Sequence, residues 1–360
     1  MKERTKDRVK DGFGCLVNNA AALRGAKNGP LWLTILMFFL SVLLPVLPLF
    51  ISAANTKGSA FISSNSYGLE RYVTAVATNL KNDNYEFVIG EDHSMTFTHN
   101  GSAIDCNAYV TFDAEDKATS ATPLTTYVDS VTGENDLMVY ISDLGGSTKK
   151  AKNLNTYISK EVYKKGTAGI ETDITATDTY RSSYVILFKD TIYVVVFYQG
   201  KAISASLGGN YNDIKANNTC LNTLLTVVDK EGNAVAASLT NPDYYNGVLK
   251  NFKKFLDKTY DAIKWRNTFA TSGIYLAIFV GLSLFMGLLM WIMTRGKNNP
   301  NNYFSLWLCL KLEARLALSP GLITLIVGIF LTSYASMIFI LTLGLRVMWI
   351  SMKELRPVQQ

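Results

Sequence analysis

The chain has 360 residues, of which 48% are hydrophobic and 18% charged, with a net charge of +6. Apolar runs beside that charge content suit membrane segments joined to an ordinary soluble domain and argue against an all-membrane transporter. Much of the basic excess sits in the leader and at helix ends, with no basic stripe interleaved with aromatics, which excludes nucleic-acid binding.

Residues 1–30 read as a cytoplasmic leader. Within it, the Ala-rich stretch Gly12–Gly25 is expected to lie as a short helix on a membrane surface, and Gly25 and Gly29-Pro30 punctuate the entry to the first span. Residues 31–53, LWLTILMFFLSVLLPVLPLFISA, carry no charge and are long enough to cross a hydrocarbon core of about 30 Å as a helix. Pro45 and Pro48 should loosen its second half. Lys2, Arg4, Lys6, Arg8, Lys10, Arg24 and Lys27 precede this run and only Lys57 follows closely, which places the N-terminus inside. A cleaved signal ending near Ser52-Ala53-Ala54 is the competing reading. The apolar run is longer and the leader larger than in such signals, so an uncleaved anchor is favoured.

From residue 54 to 268 no segment is apolar enough to span, and this region is expected to form one extracellular α+β domain. Leu69, Tyr72, Val73, Val76, Ala77 and Leu80 have helical spacing. Strand-like runs follow at Tyr85–Gly90, Ser94–His99, Asn107–Asp113, Leu124–Asp129 and Leu137–Ser142, with a short helix over Leu154–Val162. Tyr184–Phe188 and Ile192–Tyr198 are continuous apolar, β-branched runs, the pattern of central strands covered on both faces. Asn217–Val228 returns to helical spacing. Asn241, Pro242 and Asp243 then mark a helix start. Its apolar stripe contains Tyr245, Val248, Leu249, Phe252, Phe255, Leu256 and Ile263, and it leads to Trp265 and Arg266, expected interface anchors.

The second span is read at residues 269–294, followed by a cytoplasmic turn and interfacial elbow helix over 295–319, where Lys311, Glu313 and Arg315 interrupt the apolar sequence. A transmembrane hairpin over 320–352 has Arg346 near its end, and 353–360 form a cytoplasmic tail. Small residues Gly321, Gly328, Ser333, Ala335, Ser336 and Gly344 punctuate the hairpin. The expected fold is thus a membrane protein of four hydrophobic α-helices, one plus three, with the α+β domain inserted between the first and second.

The chemistry-bearing residues are few. Cys106 and Cys220 share the outer domain, the one oxidising compartment, and either form a disulfide or remain two free thiols. His93 and His99 lack enough companions for a metal site, and Asp113, Glu115 and Asp116 read as a solvated turn. No nucleophile elbow, phosphate-binding loop or dinucleotide fingerprint is present. Glu313-Ala314-Arg315 before Gly321 has the wrong spacing for a permease coupling loop. Tyr211, Tyr244 and Tyr245, in polar surroundings, are the candidates for surface contact, whereas Tyr193 and Tyr198 fit a core.

The single N-terminal span before an outer domain, the pattern LKNDNYEFVIGEDHSMTFTHNG at Leu80–Gly101, and FSLWLCLKLEARLALSPGLITL at Phe304–Leu325 resemble the DUF1189 family of bacterial membrane proteins. Some members carry a maltodextrin-utilisation label. The resemblance implies an accessory membrane protein that docks on a partner complex, with a sugar transporter the implied candidate. The reading from residues is a non-enzymatic accessory or scaffold subunit in the plasma membrane, without cofactor or metal. A receptor whose outer domain binds a ligand or protein is the second reading.

Overall fold

The computed structural model describes residues 14–60, 77–128, 135–164, 182–197, 204–215, 219–238, 240–295 and 299–355. They form two compact units, Thr56–Lys264 and the pairing of Met1–Asn55 with Trp265–Gln360. Most of the helix expected from Leu69 lies outside the described residues; residues 77–82 are helical.

The first of these units is α+β. Strands β1 (Tyr85–Ile89), β2 (Met95–His99) and β3 (Ser102–Ala103) form a three-stranded sheet, and β4 (Val110–Phe112) pairs with β5 (Ala118–Ala121). The main sheet has the order β10-β9-β8-β7-β6, from β6 (Thr125–Val128), β7 (Asn135–Ile141), β8 (Ser183–Leu187), β9 (Thr191–Phe197) and β10 (Ser204–Asn210). Its pairs are antiparallel except β7 with β8, which are parallel and bridged by a helix over Lys149–Lys164.

The central strands are covered on both faces, as their sequence requires. Leu137, Val139, Ile141, Val194 and Val196 join one core cluster, which also holds Phe87, Phe97, Val248, Phe255 and Leu256. Met138, Tyr140, Tyr184, Ile186 and Val195 join another with Ala151, Leu154, Ile158 and Val162 of the crossover helix. That helix starts before the expected Leu154 because the Thr148 hydroxyl caps it, accepting from the Ala151 amide at 3.2 Å. Of the helix expected over Asn217–Val228, Leu221–Leu225 forms, and Asn217 and Asn218 lie outside the described residues.

The second unit is helical. A helix α1 (Asn19–Asn28) is capped by Asn18, and α2 (Leu31–Leu43) passes through a 3₁₀ turn at Leu44–Val46 into α3 (Leu47–Asn55). The turn sits at Pro45, where the missing amide donor breaks the α-helical ladder. Counting the crossover helix as α4 and Leu221–Leu225 as α5, the next helix, α6 (Pro242–Met293), runs unbroken for 52 residues. The Asn241 side chain accepts from the Asp243 amide at its start, at 3.0 Å. Then come α7 (Leu306–Leu316), α8 (Leu318–Phe330) and α9 (Ala335–Lys353).

Among the described residues, four helices are long and apolar enough to cross a membrane: Leu31–Asn55, Pro242–Met293, Leu306–Phe330 and Thr332–Lys353. Two local expectations are corrected. The third candidate begins at Leu306, not Pro320, and the last five residues of α7 are buried, so the elbow is part of the helical core. The Ala-rich leader helix is likewise covered, with Ala21, Ala22, Gly25 and Ala26 buried.

Candidate functional site

An ionisable side chain inside an apolar helix is costly and marks a place where chemistry or specific packing is at work. Helix α7 concentrates such groups. It is started by Ser305, whose hydroxyl accepts from the Leu308 amide at 3.2 Å, and it buries both Glu313 and Arg315 to 1% exposure. Two residues apart on an α-helix, the two side chains leave the axis about 200° apart. They therefore serve different neighbours.

Arg315 turns toward α1 and α2. Its Nη2 donates to the Thr34 hydroxyl at 3.2 Å, and Nη1 lies 3.5 Å from the Met37 sulfur. A methyl group built on Gly25 would stand 2.7 Å from Nη1, and one on Gly29 would press on both Nη2 and the Gly25 carbonyl. The planar guanidinium thus lies in a cradle that exists because two residues one helical turn apart have no side chain. Glu313 looks elsewhere. Ser283 of α6 faces its carboxyl without completing a hydrogen bond, and Glu313 Oε1 has no partner among the described residues.

The residues singled out from sequence fare differently. Tyr211 is not on the surface: it is fully buried, stacks on Phe255 with ring centroids 6.3 Å apart, and donates to the Thr191 carbonyl at 2.9 Å. Burial holds its phenol well above the usual tyrosine range. Tyr244 is also core, at 5% exposure, while Tyr245 on the next position is half-buried. The polar sequence around Tyr211 and Tyr244 hid them, because one follows a strand end and the other opens a helix whose stripe begins one residue earlier than expected. Trp265 and Arg266 are both exposed on α6.

Cys106 and Cys220 are free thiols, so the disulfide is not formed. Cys106 belongs to the sheet-side core, where burial pushes its thiol up to about 11, while Cys220 is the half-buried N-cap of α5. His99 stacks on Tyr85 at 4.4 Å, and Asp113 organises a turn by accepting from the Glu115 and Lys117 amides. Glu115 pairs with Lys117 and Asp116 with Lys150. No group of three potential metal ligands occurs among the described residues. The α+β unit also holds an apolar cavity of about 80 Å³ lined in part by Leu80, Phe87, Leu137, Val194 and Phe255.

Sequence reasoning missed the Arg315 cradle. Its only signal was the pair Gly25 and Gly29, read as punctuation, and the charged residues Lys311, Glu313 and Arg315, read as part of an interfacial elbow. Comparison with protein-family models, curated proteins and solved structures finds no match for this chain.

Proposed function

We propose that the protein is a non-enzymatic accessory or scaffold subunit of a bacterial membrane complex. In this reading its helical unit lies in the plasma membrane with both termini in the cytoplasm, and its α+β unit stands outside. The resemblance to the DUF1189 family suggests a sugar-uptake complex as the partner. Trp265 and Arg266 would then sit at the outer interface.

The observation that carries the proposal is how the glycines divide. Gly321 and Gly328 are used within the unit: a methyl group on the first would stand 2.9 Å from the Ser41 carbonyl, and on the second 2.8 Å from Pro48. Gly273 and Gly281 of α6 and Gly344 of α9 meet nothing within 4 Å. Around them Ile274, Ile278, Leu341 and Met348 are exposed. Small residues on an outward apolar face let a second helix approach closely, which is how helices associate in lipid. The buried cation Arg315 packs against the chain's own Gly25, Gly29, Thr34 and Met37, which suits a scaffold better than a transport pathway.

A receptor is the second reading, favoured by the unbroken α6, which carries Val248, Phe255 and Leu256 of the α+β core and also a candidate span. Purification from native membranes in mild detergent, with mass-spectrometric identification of co-eluting proteins, separates the two. The accessory reading expects a stoichiometric membrane partner. Recovery only as a monomer contradicts it and favours the receptor.

A further inference from the structure

The helical unit contains a second polar feature, whose lining includes neither Glu313 nor Arg315. A groove of about 580 Å³ runs beside α8 and α9 and reaches the start of α1. On α9 its wall is formed by Thr342, Leu345, Arg346, Trp349 and Lys353, spaced so that they share one helix face. At 1.5 Å per residue, Thr342 to Lys353 spans about 16 Å, half the thickness of a hydrocarbon core of about 30 Å. The stripe therefore has the length of one leaflet.

Its chemistry is graded along that length. The Lys353 end is polar, with Asn18 and Asn19 contributed by α1, and the far end is lined by Ile323, Leu345 and Thr342. Trp349, 64% exposed, lies between them, the position an indole takes where headgroups meet acyl chains.

The groove also holds charge that no described residue neutralises. Arg346 Nη1 donates to the Leu316 carbonyl at 2.8 Å and to the Ser319 hydroxyl, Nη2 to the Cys15 carbonyl, and Nε lies 3.5 Å from Asn19 Oδ1. Every one of these acceptors is neutral. Among the described residues no carboxylate pairs with Arg346 or Lys353, and Glu354 is the one acid lining the groove. Among the described lining residues, two cations against one acid leave an excess positive charge beside an apolar trough.

We infer that this groove binds an anionic phospholipid, its phosphodiester near Arg346 and Lys353 and an acyl chain along Ile323 and Leu345. A basic pocket between helices on the side of a membrane where anionic lipids gather is a recurring lipid-headgroup site. The inference rests on the reading of α8 and α9 as membrane spans.

The test uses the full chain reconstituted in mixed vesicles in which either phosphatidylglycerol or phosphatidylcholine carries brominated acyl chains. Quenching of Trp349 is obtained as the difference between the wild type and W349F. Preferential quenching by the brominated phosphatidylglycerol is expected. K353Q, which leaves the Arg346 bonds to Cys15, Leu316 and Ser319 in place, should reduce that preference about fivefold, the effect of one basic residue at an anionic surface. Equal quenching by the two lipids, or a preference unchanged in K353Q, overturns the lipid site while leaving the spans intact. Relief of quenching by millimolar inorganic phosphate would assign the groove to a free anion instead and overturn it too. Absence of quenching by either lipid would overturn the span reading itself and the groove proposal with it.

Discussion

Gly29→Ala is the substitution whose effect the structure defines most sharply. Gly29 follows α1 with φ −79° and ψ 152°, an extended conformation that alanine adopts freely, so backbone strain plays no part. The added methyl group would meet the Gly25 carbonyl and Arg315 Nη2, and would stand 3.2 Å from Arg315 Cζ. Neither neighbour yields easily. The Gly25 carbonyl accepts the Gly29 amide at 2.8 Å, and the guanidinium is held by Thr34 and buried to 1% exposure. Overpacking of this kind costs about 1–3 kcal/mol. The control is Gly344→Ala, in the interior of α9 with nothing within 4 Å, where the replacement gains about 1 kcal/mol of helix propensity. The two variants should therefore differ by roughly 2–4 kcal/mol, summing the two effects. Thermal unfolding of the purified chain in detergent, followed by intrinsic fluorescence, should rank G29A below the wild type and G344A level with it or above. If G29A unfolds together with G344A, the cradle around Arg315 is not formed as described.

Two further predictions concern the α+β unit. Alkylation at pH 8 under native, non-reducing conditions should modify half-buried Cys220 well before Cys106, whose thiol is covered and held protonated by burial. After denaturation without reductant both should react, and failure of both to react would restore the disulfide. Tyr211→Phe should destabilise that unit by about 1 kcal/mol, at the low end for a buried hydrogen bond because the Thr191 carbonyl keeps the Phe188 amide at 2.8 Å. Unfolding unchanged in Tyr211→Phe would remove that hydrogen bond from the core.

Much of the architecture was legible because it follows from strong, local signals. Uncharged runs marked the candidate spans at Leu31 and in the second half of α6, and Pro45 and Pro48 marked the half of the first span that the structure interrupts with a 3₁₀ turn. Apolar runs at Tyr184–Phe188 and Ile192–Tyr198 announced strands buried on both faces. Strand β10, SASLGGN, was invisible for a physical reason. Its Gly209 argues against a strand by propensity, yet a methyl group there would stand 2.6 Å from the Thr259 hydroxyl of α6, so close helix packing demands the glycine. The same holds for α7. Three charges made it look interfacial, and only the tertiary neighbours Gly25, Thr34 and Ser283 show that Glu313 and Arg315 are enclosed. Tyr211 was misplaced because its burial depends on Phe255, distant in sequence, and not on its own polar neighbours.

The proposal that the outward faces of α6 and α9 receive a partner helix is tested most directly by photo-crosslinking in native membranes. A photoreactive amino acid placed at Ile278, between Gly273 and Gly281, or at Leu341, one turn before Gly344, reports what lies against each face. A discrete adduct with another membrane protein from at least one of these positions, missing when the probe replaces buried Phe339, is the predicted result. Adducts with lipid alone at both positions, or only with a second copy of the chain, would contradict the accessory-subunit account.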